Sequence, residues 1–233
     1  MAFSNTLQTT LNKKTNPKIE MYVDIAQSIS GILLVGFLWM HMLFVGTIII
    51  SPELYDKLSI GLDKYYLAQV GIPGTVLLII MHILLAGRRI PTRLRDMRIT
   101  WRVAHMINHF DTWVWIGQII TALIIGIMAG IHIWLVMTTW PIRSFTSASR
   151  VAALGPADQS FGGFYFPFMI VFYVLLLFAG EYHAGFGLYR IFVKWGWFDR
   201  HRVGYVLKTI TVIIIATGLL ALYAFIKLAA GVL

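Results

Sequence analysis

The sequence predicts an all-α integral membrane protein, a bundle of five transmembrane helices, and three observations carry that expectation. Of its 233 residues 58% are hydrophobic and the mean hydropathy is +0.77, which is more apolar side chain than a soluble core of this size can hide. The apolar residues gather into five runs, each long enough or nearly so to cross about 30 Å of hydrocarbon as a helix. Those runs are continuously apolar rather than alternating, which argues against a transmembrane barrel.

The expected elements follow in order. Residues 1–21 are polar and have no apolar segment ahead of a cleavage site, so they do not resemble a signal peptide and are expected as a cytoplasmic, surface-bound tail. Residues 22–233 are expected as one membrane domain, without internal repeat or low-complexity tract. Its spans run from Tyr22 to Ile50, Val70 to Gly87, Trp113 to Thr139, Phe164 to Arg190 and Val203 to Ala230. The second is shortest, and Gly71, Pro73 and Gly74 at its start predict a turn leading into the helix.

Orientation follows from the cations. With the amino terminus inside, fourteen Lys and Arg lie in the inner segments, among them Lys13, Lys14, Lys18, Arg88, Arg95, Arg98, Arg102 and Lys194, against five outside or in the last helix. That asymmetry predicts a cytoplasmic amino terminus and an external carboxyl terminus. The formal charge of +9 is then explained by topology and by attraction to anionic lipid headgroups, not by nucleic acid.

Four histidines, His41, His82, His132 and His183, each sit in a different apolar run. An ionisable side chain inside hydrocarbon is costly and marks function by default. In the predicted topology His41 and His132 come late in outward-running helices, and His82 and His183 late in inward-running ones. That gives two pairs at two depths, separated by about 15 Å at 1.5 Å per residue. Two facing imidazoles fill both axial positions of a haem iron and make an electron carrier, whereas zinc would need further ligands that neither layer supplies. The chain has no cysteine, which excludes covalent c-type haem, an intrinsic cysteine-ligated iron–sulfur cluster and any disulfide. Two non-covalent b haems remain as the expected cofactors. His105, His109 and His201 fall in the flanks, where a solvated or headgroup role is expected.

At this point the residues carry a resemblance. The run from Glu181 through Tyr182, His183 and Arg190 to Asp199 resembles a signature of the dihaem cytochrome b subunits of quinol:fumarate reductases, in the succinate:quinone oxidoreductase superfamily. Gln27-Ser28 and Trp39-Met40-His41 in the first run are similar too, as is His109-Phe110-Asp111-Thr112 leading to Trp115, Gln118 and His132. The resemblance implies a proximal haem on His82 and His183, near the cytoplasmic partner, and a distal haem on His41 and His132. It also implies that Gln27, Ser28, Trp115 and Lys194 meet the proximal propionates, which suits their place at the cytoplasmic helix ends, and that Arg150 lies near the distal haem.

The implied activity is oxidation of menaquinol in the bacterial cytoplasmic membrane, with electrons passed to an iron–sulfur subunit and a flavoprotein that reduces fumarate to succinate. The implied assembly is a dimer of three-subunit complexes. Quinol oxidation needs a proton acceptor, and the family's acid falls near Gly61, so Glu53, Asp56 and Asp63 compete for that role, with solvated loop charges as the alternative. Glu181, two residues before His183, turns to the far side of its helix from the proximal haem; the resemblance implies a transmembrane proton route through it, and without the resemblance a buried acid hydrogen-bonded to a neighbouring helix is the favoured alternative. Other readings stay open: succinate oxidation by the same architecture, a cytochrome b of a hydrogenase or formate dehydrogenase, or a haem-free anchor or transporter.

Overall fold

The computed structural model describes residues 16–88, 90, 93–152 and 169–232, and no strand occurs among them. Five helices are long and apolar enough to cross a membrane. The first, α1 (Pro17–Gly46), starts five residues before Tyr22 because Asn16 accepts a hydrogen bond from Lys18 N and Pro17 takes the first helical position. A 3-10 turn, Thr47–Ile49, prolongs it. Next comes α2 (Pro52–Lys64), opened by Ser51, whose side chain accepts from Leu54 N, and by Pro52.

The second span is α3 (Leu67–Gly87), and here the expected turn is misplaced. The chain reverses at Tyr66, in left-handed conformation with φ 58°, and Pro73 lies inside the helix. Proline removes one backbone donor, a loss that transmembrane helices tolerate where neighbours re-satisfy the backbone. An amphipathic helix, α4 (Leu94–Ile107), follows and ends at Asn108, also left-handed with φ 45°. The third span is α5 (Phe110–Thr138) and is followed by α6 (Ser144–Ala152). The last two spans are α7 (Met169–Trp195) and α8 (Arg200–Ala229). Gly196, with φ 64°, begins the turn between them, and Asp199 caps α8 by accepting from His201 N and Arg202 N.

Each of the five spans therefore outruns its expected apolar run at one end, since hydropathy marks the hydrocarbon-embedded part whereas caps mark where the helix ends. Residues 1–15 of the expected tail, Arg89, and the expected opening of the fourth span at 164–168 lie outside the described residues.

Packing concentrates on α1, α5, α7 and α8; α3 leans on α1 and buries none of its residues. Val35, Ala184, Leu188, Val203 and Leu207 form the central core of α1, α7 and α8. Gly218 permits this approach, because a Cβ there would sit 2.7 Å from the Leu177 side chain and 2.9 Å from that of Met42. At the end of the bundle where α1 finishes, Ile48, Tyr55, Ala148, Val151, Ala221, Ala224 and Phe225 form a second core that fastens α2 and α6 to α8.

Candidate functional site

Two of the four histidines meet directly. His41, near the end of α1, and His132, near the end of α5, face each other with ring centroids 6.0 Å apart and planes at 63°. One metal atom with a nitrogen about 2 Å away on either side, plus about 1 Å from nitrogen to each ring centre, needs about 6 Å between centres. The spacing thus leaves room for one metal atom between the two imidazoles. Phe37, one turn before His41, stacks parallel to it at 6.0 Å. The Tyr173 ring meets the His132 ring edge-on at 5.6 Å.

The second pair is held differently. The Ser30 hydroxyl stands 2.9 Å from Gln27 O and 2.9 Å from Nδ1 of His82; with its one proton on the carbonyl, the imidazole Nδ1–H is the donor. Thr121 repeats the arrangement: its hydroxyl donates to Gly117 O at 2.7 Å and accepts from His183 Nδ1–H at 3.2 Å. That arrangement suits the tautomer that leaves Nε2 bare, the state a metal ligand requires. Gln118 donates to the His183 carbonyl at 3.1 Å. Gly31 leaves room for the imidazole, since a Cβ there would lie 3.3 Å from Cε1 of His82.

Among the described residues no three His, Asp or Glu side chains converge as a protein-only metal site would need. Two imidazoles and no third ligand is the donor set of an iron whose remaining positions a macrocycle supplies. The residues present fit haem.

Around the His82 and His183 end, Gln27 has a buried Oε1 without a hydrogen-bond partner among the described residues. Ser28 donates to Asp24 O at 2.8 Å and accepts from the Trp195 indole at 3.1 Å. Lys194 pairs with Asp24 Oδ2 at 2.6 Å, and Arg88 with Asp24 Oδ1 at 2.5 Å and with Glu20 at 3.2 Å. This network joins α1, α3 and α7 and holds two cations at the helix ends. Trp115 is half-buried on α5 and makes no hydrogen bond to a described residue. At the other end Arg150, 4% exposed, donates to Thr139 Oγ1 and engages the Tyr173 phenol, which brings it to the His132 side.

The three candidate acids are separate. Glu53 is exposed on α2. Asp56 accepts from Ser144 N at 2.6 Å and from Ser144 Oγ at 2.8 Å, and so caps α6. Asp63 accepts from Gln69 Nε2 at 2.6 Å and keeps its Oδ2 4.0 Å from Arg143. Neighbouring Tyr55 is 3% exposed and shares a 3.2 Å hydrogen bond with Ser147; burial pushes its phenol above the usual range. Glu181 is 1% exposed; neither carboxyl oxygen makes a hydrogen bond of ordinary geometry among the described residues, and the Trp39 indole N–H is the polar group beside it.

Ser30, Thr121, Tyr173, Asp24 and Arg88 were not expected as site residues. The sequence carried no local signal for them, because Ser30 and His82 are 52 positions apart and a hydroxyl in an apolar run usually bonds its own helix.

Residues 95–222 match the family described as succinate dehydrogenase/fumarate reductase transmembrane subunit. The chain belongs to that family. It is also 29% identical over 216 residues to the fumarate reductase cytochrome b subunit of Helicobacter pylori strain J99, covering 88% of this chain and 80% of the relative. The fumarate reductase cytochrome b subunit of Wolinella succinogenes is 28% identical over 220 residues, covering 88% of this chain and 81% of the relative. This family member therefore spans most of the length of its curated relatives.

Proposed function

We propose that this subunit carries electrons from menaquinol to an iron–sulfur subunit and a flavoprotein that reduces fumarate to succinate, with its amino terminus in the cytoplasm of a bacterium. The observation that carries this reading is the meeting of His41 with His132 together with the Nδ1 anchoring of His82 and His183. Each pair holds one haem b, which when bound supplies one-electron carriage.

Ser30 and Thr121 orient the imidazoles on the cytoplasmic side. Gln27, Ser28, Trp115 and Lys194 present donors and one positive charge to the carboxylates of the group bound there, and Asp24 sets where the Lys194 ammonium stands. Arg150 does the same toward the His41 and His132 layer. Asp63 is the best-placed acceptor for a quinol proton: Asp56 is occupied by the α6 N-terminus, Glu53 faces away into solvent, and Asp63 keeps an oxygen with only one distant contact. Glu181, a carboxyl buried beside the Trp39 indole, takes up and releases the proton that accompanies electron movement across the bundle. A buried acid so placed is expensive, and retention of such groups inside a membrane points to proton handling. The names of the relatives favour a fumarate reductase assembly, and the superfamily a dimer of heterotrimers.

An optical spectrum of the purified protein after dithionite tests the reading. A reduced b-haem band amounting to two haems per chain is expected. Its absence overturns the assignment.

A further inference from the structure

Helix α4 stands outside the packing just described. Of its residues only Ala104 is buried, and its ring contacts with the next helix are those of Trp101 and His105 against Trp113, at centroid distances of 5.5 and 4.9 Å. At about 100° per residue, Arg95, Arg98 and Arg102 fall on one stripe about 60° wide. None of the three makes an ion pair or side-chain hydrogen bond with a described residue, and the helix carries a single acid, Asp96. Much of the remaining circumference is apolar, and Ile99, Trp101, Val103 and Met106 are all exposed.

The connections fix where this helix lies. Two residues, Asn108 and His109, separate α4 from the transmembrane α5 and span at most about 7 Å. On its other side only residues 88–93 lead back to transmembrane α3. A helix tethered this closely between two membrane-crossing helices stays at the surface where both emerge.

We propose that α4 lies in the headgroup layer and that its arginine stripe binds the phosphates of anionic phospholipids. A soluble protein seated on the arginines would cover the stripe and leave the apolar flanks wet. A lipid surface covers both, taking the apolar side chains into the glycerol and acyl boundary while the guanidiniums reach phosphate. The excess of cation over acid favours lipids with net negative charge over zwitterionic ones, whose own ammonium competes for the phosphate. The inference rests on the five spans and on α4 alone, so it stands whether or not the haem assignment does.

The test uses the full chain in phosphatidylcholine nanodiscs doped with spin-labelled phosphatidylglycerol or spin-labelled phosphatidylcholine. Electron paramagnetic resonance reads the motionally restricted fraction of each. The native chain is expected to retain phosphatidylglycerol preferentially. A basic side chain at an anionic surface contributes up to about fivefold, and the arginines share lipids, so Arg95→Gln/Arg98→Gln/Arg102→Gln is expected to lower the preference by at least about threefold. Arg98→Gln alone is expected to lower it by a smaller factor and serves if the triple variant does not fold. Replacing all three by Lys is expected to keep the preference, and Lys57→Gln/Lys64→Gln on the opposite side is expected to leave it unchanged. An unaltered preference in the glutamine variants overturns the proposal. So does loss of co-purifying soluble subunits with lipid preference intact, which would assign the stripe to a protein partner.

Discussion

Replacing Ser30 by Ala should loosen one haem and leave the other untouched. The Ser30 hydroxyl accepts from His82 Nδ1–H at 2.9 Å while spending its own proton on Gln27 O, and Ser30 is 0% exposed, so no water replaces it without rearrangement. Stranding a buried donor in this way costs about 1–3 kcal/mol. Loss of a metal ligand's hydrogen-bond partner typically costs about 10–100-fold in affinity, or about 1.4–2.8 kcal/mol at 1.4 kcal/mol per tenfold. The two routes agree. The measurement is the rate of haem loss to excess apomyoglobin, with the two components told apart by redox titration. The component held by His82 and His183 should leave about 10–100-fold faster and the other at its native rate. Thr121→Val should act on the same component toward the lower end, because its contact with His183 is longer, 3.2 Å. If Ser30→Ala loses both haems equally, or neither faster than the native chain, the hydroxyl does not orient the ligand and the tautomer argument fails.

Further outcomes separate the remaining roles. His82→Ala and His183→Ala should abolish one spectral component, and His41→Ala and His132→Ala the other; shared loss between His41 and His82 variants would show the pairing to be wrong. Asp63→Asn should reduce quinol-driven fumarate reduction by an order of magnitude or more, as is usual for loss of an acid–base group at about 10²–10⁴-fold, while an artificial donor to the soluble subunits still supports turnover; unchanged quinol-driven turnover would remove Asp63 from the reaction. Asp56→Asn should instead lower thermal stability, since it weakens a cap worth about 1 kcal/mol, and an Asp56 variant with native stability but no quinol oxidation would exchange the two roles. Glu181→Gln keeps shape but cannot ionise, so it should retain both haems and lose quinol-driven turnover; full turnover with both haems present would exclude the proton relay.

The sequence made the five spans readable because crossing hydrocarbon demands a property that survives averaging, about 20 apolar residues in a row. It did not reveal α2, α4 and α6. Each is an amphipathic helix of 9–14 residues whose apolar positions are interrupted by polar or charged ones, so a window tuned to membrane spans reads it as a polar connection. Pro73 shows the opposite error: proline and two glycines signal a turn in water, but within a bilayer the chain keeps its helix, since a broken one would expose backbone groups to hydrocarbon. At the site, the depth of each histidine follows from counting residues along its run, and His41 does face His132. What counting along a run cannot supply is the rotation of one helix against another, and rotation decides that Ser30 meets His82, that Thr121 meets His183 and that Asp56 meets Ser144.

The two histidine pairs are accordingly unlike in a way their sequence contexts conceal. His82 and His183 each hold Nδ1 against a hydroxyl that also stands within hydrogen-bond distance of a backbone carbonyl, so their orientation is set before any ligand arrives. Across the bundle the Nδ1 of His132 is buried without a hydrogen-bond partner among the described residues, and rings rather than hydroxyls surround it: His41 at 6.0 Å and Tyr173 at 5.6 Å. Ring contacts restrict position but do not choose a tautomer, because they exchange no proton. A pair anchored through hydrogen bonds presents a more basic imidazole than a pair held by packing alone. Two otherwise identical iron porphyrins placed in these layers would therefore differ in axial ligand strength. That difference originates in two hydroxyl side chains, Ser30 on α1 and Thr121 on α5, and not in the histidines themselves.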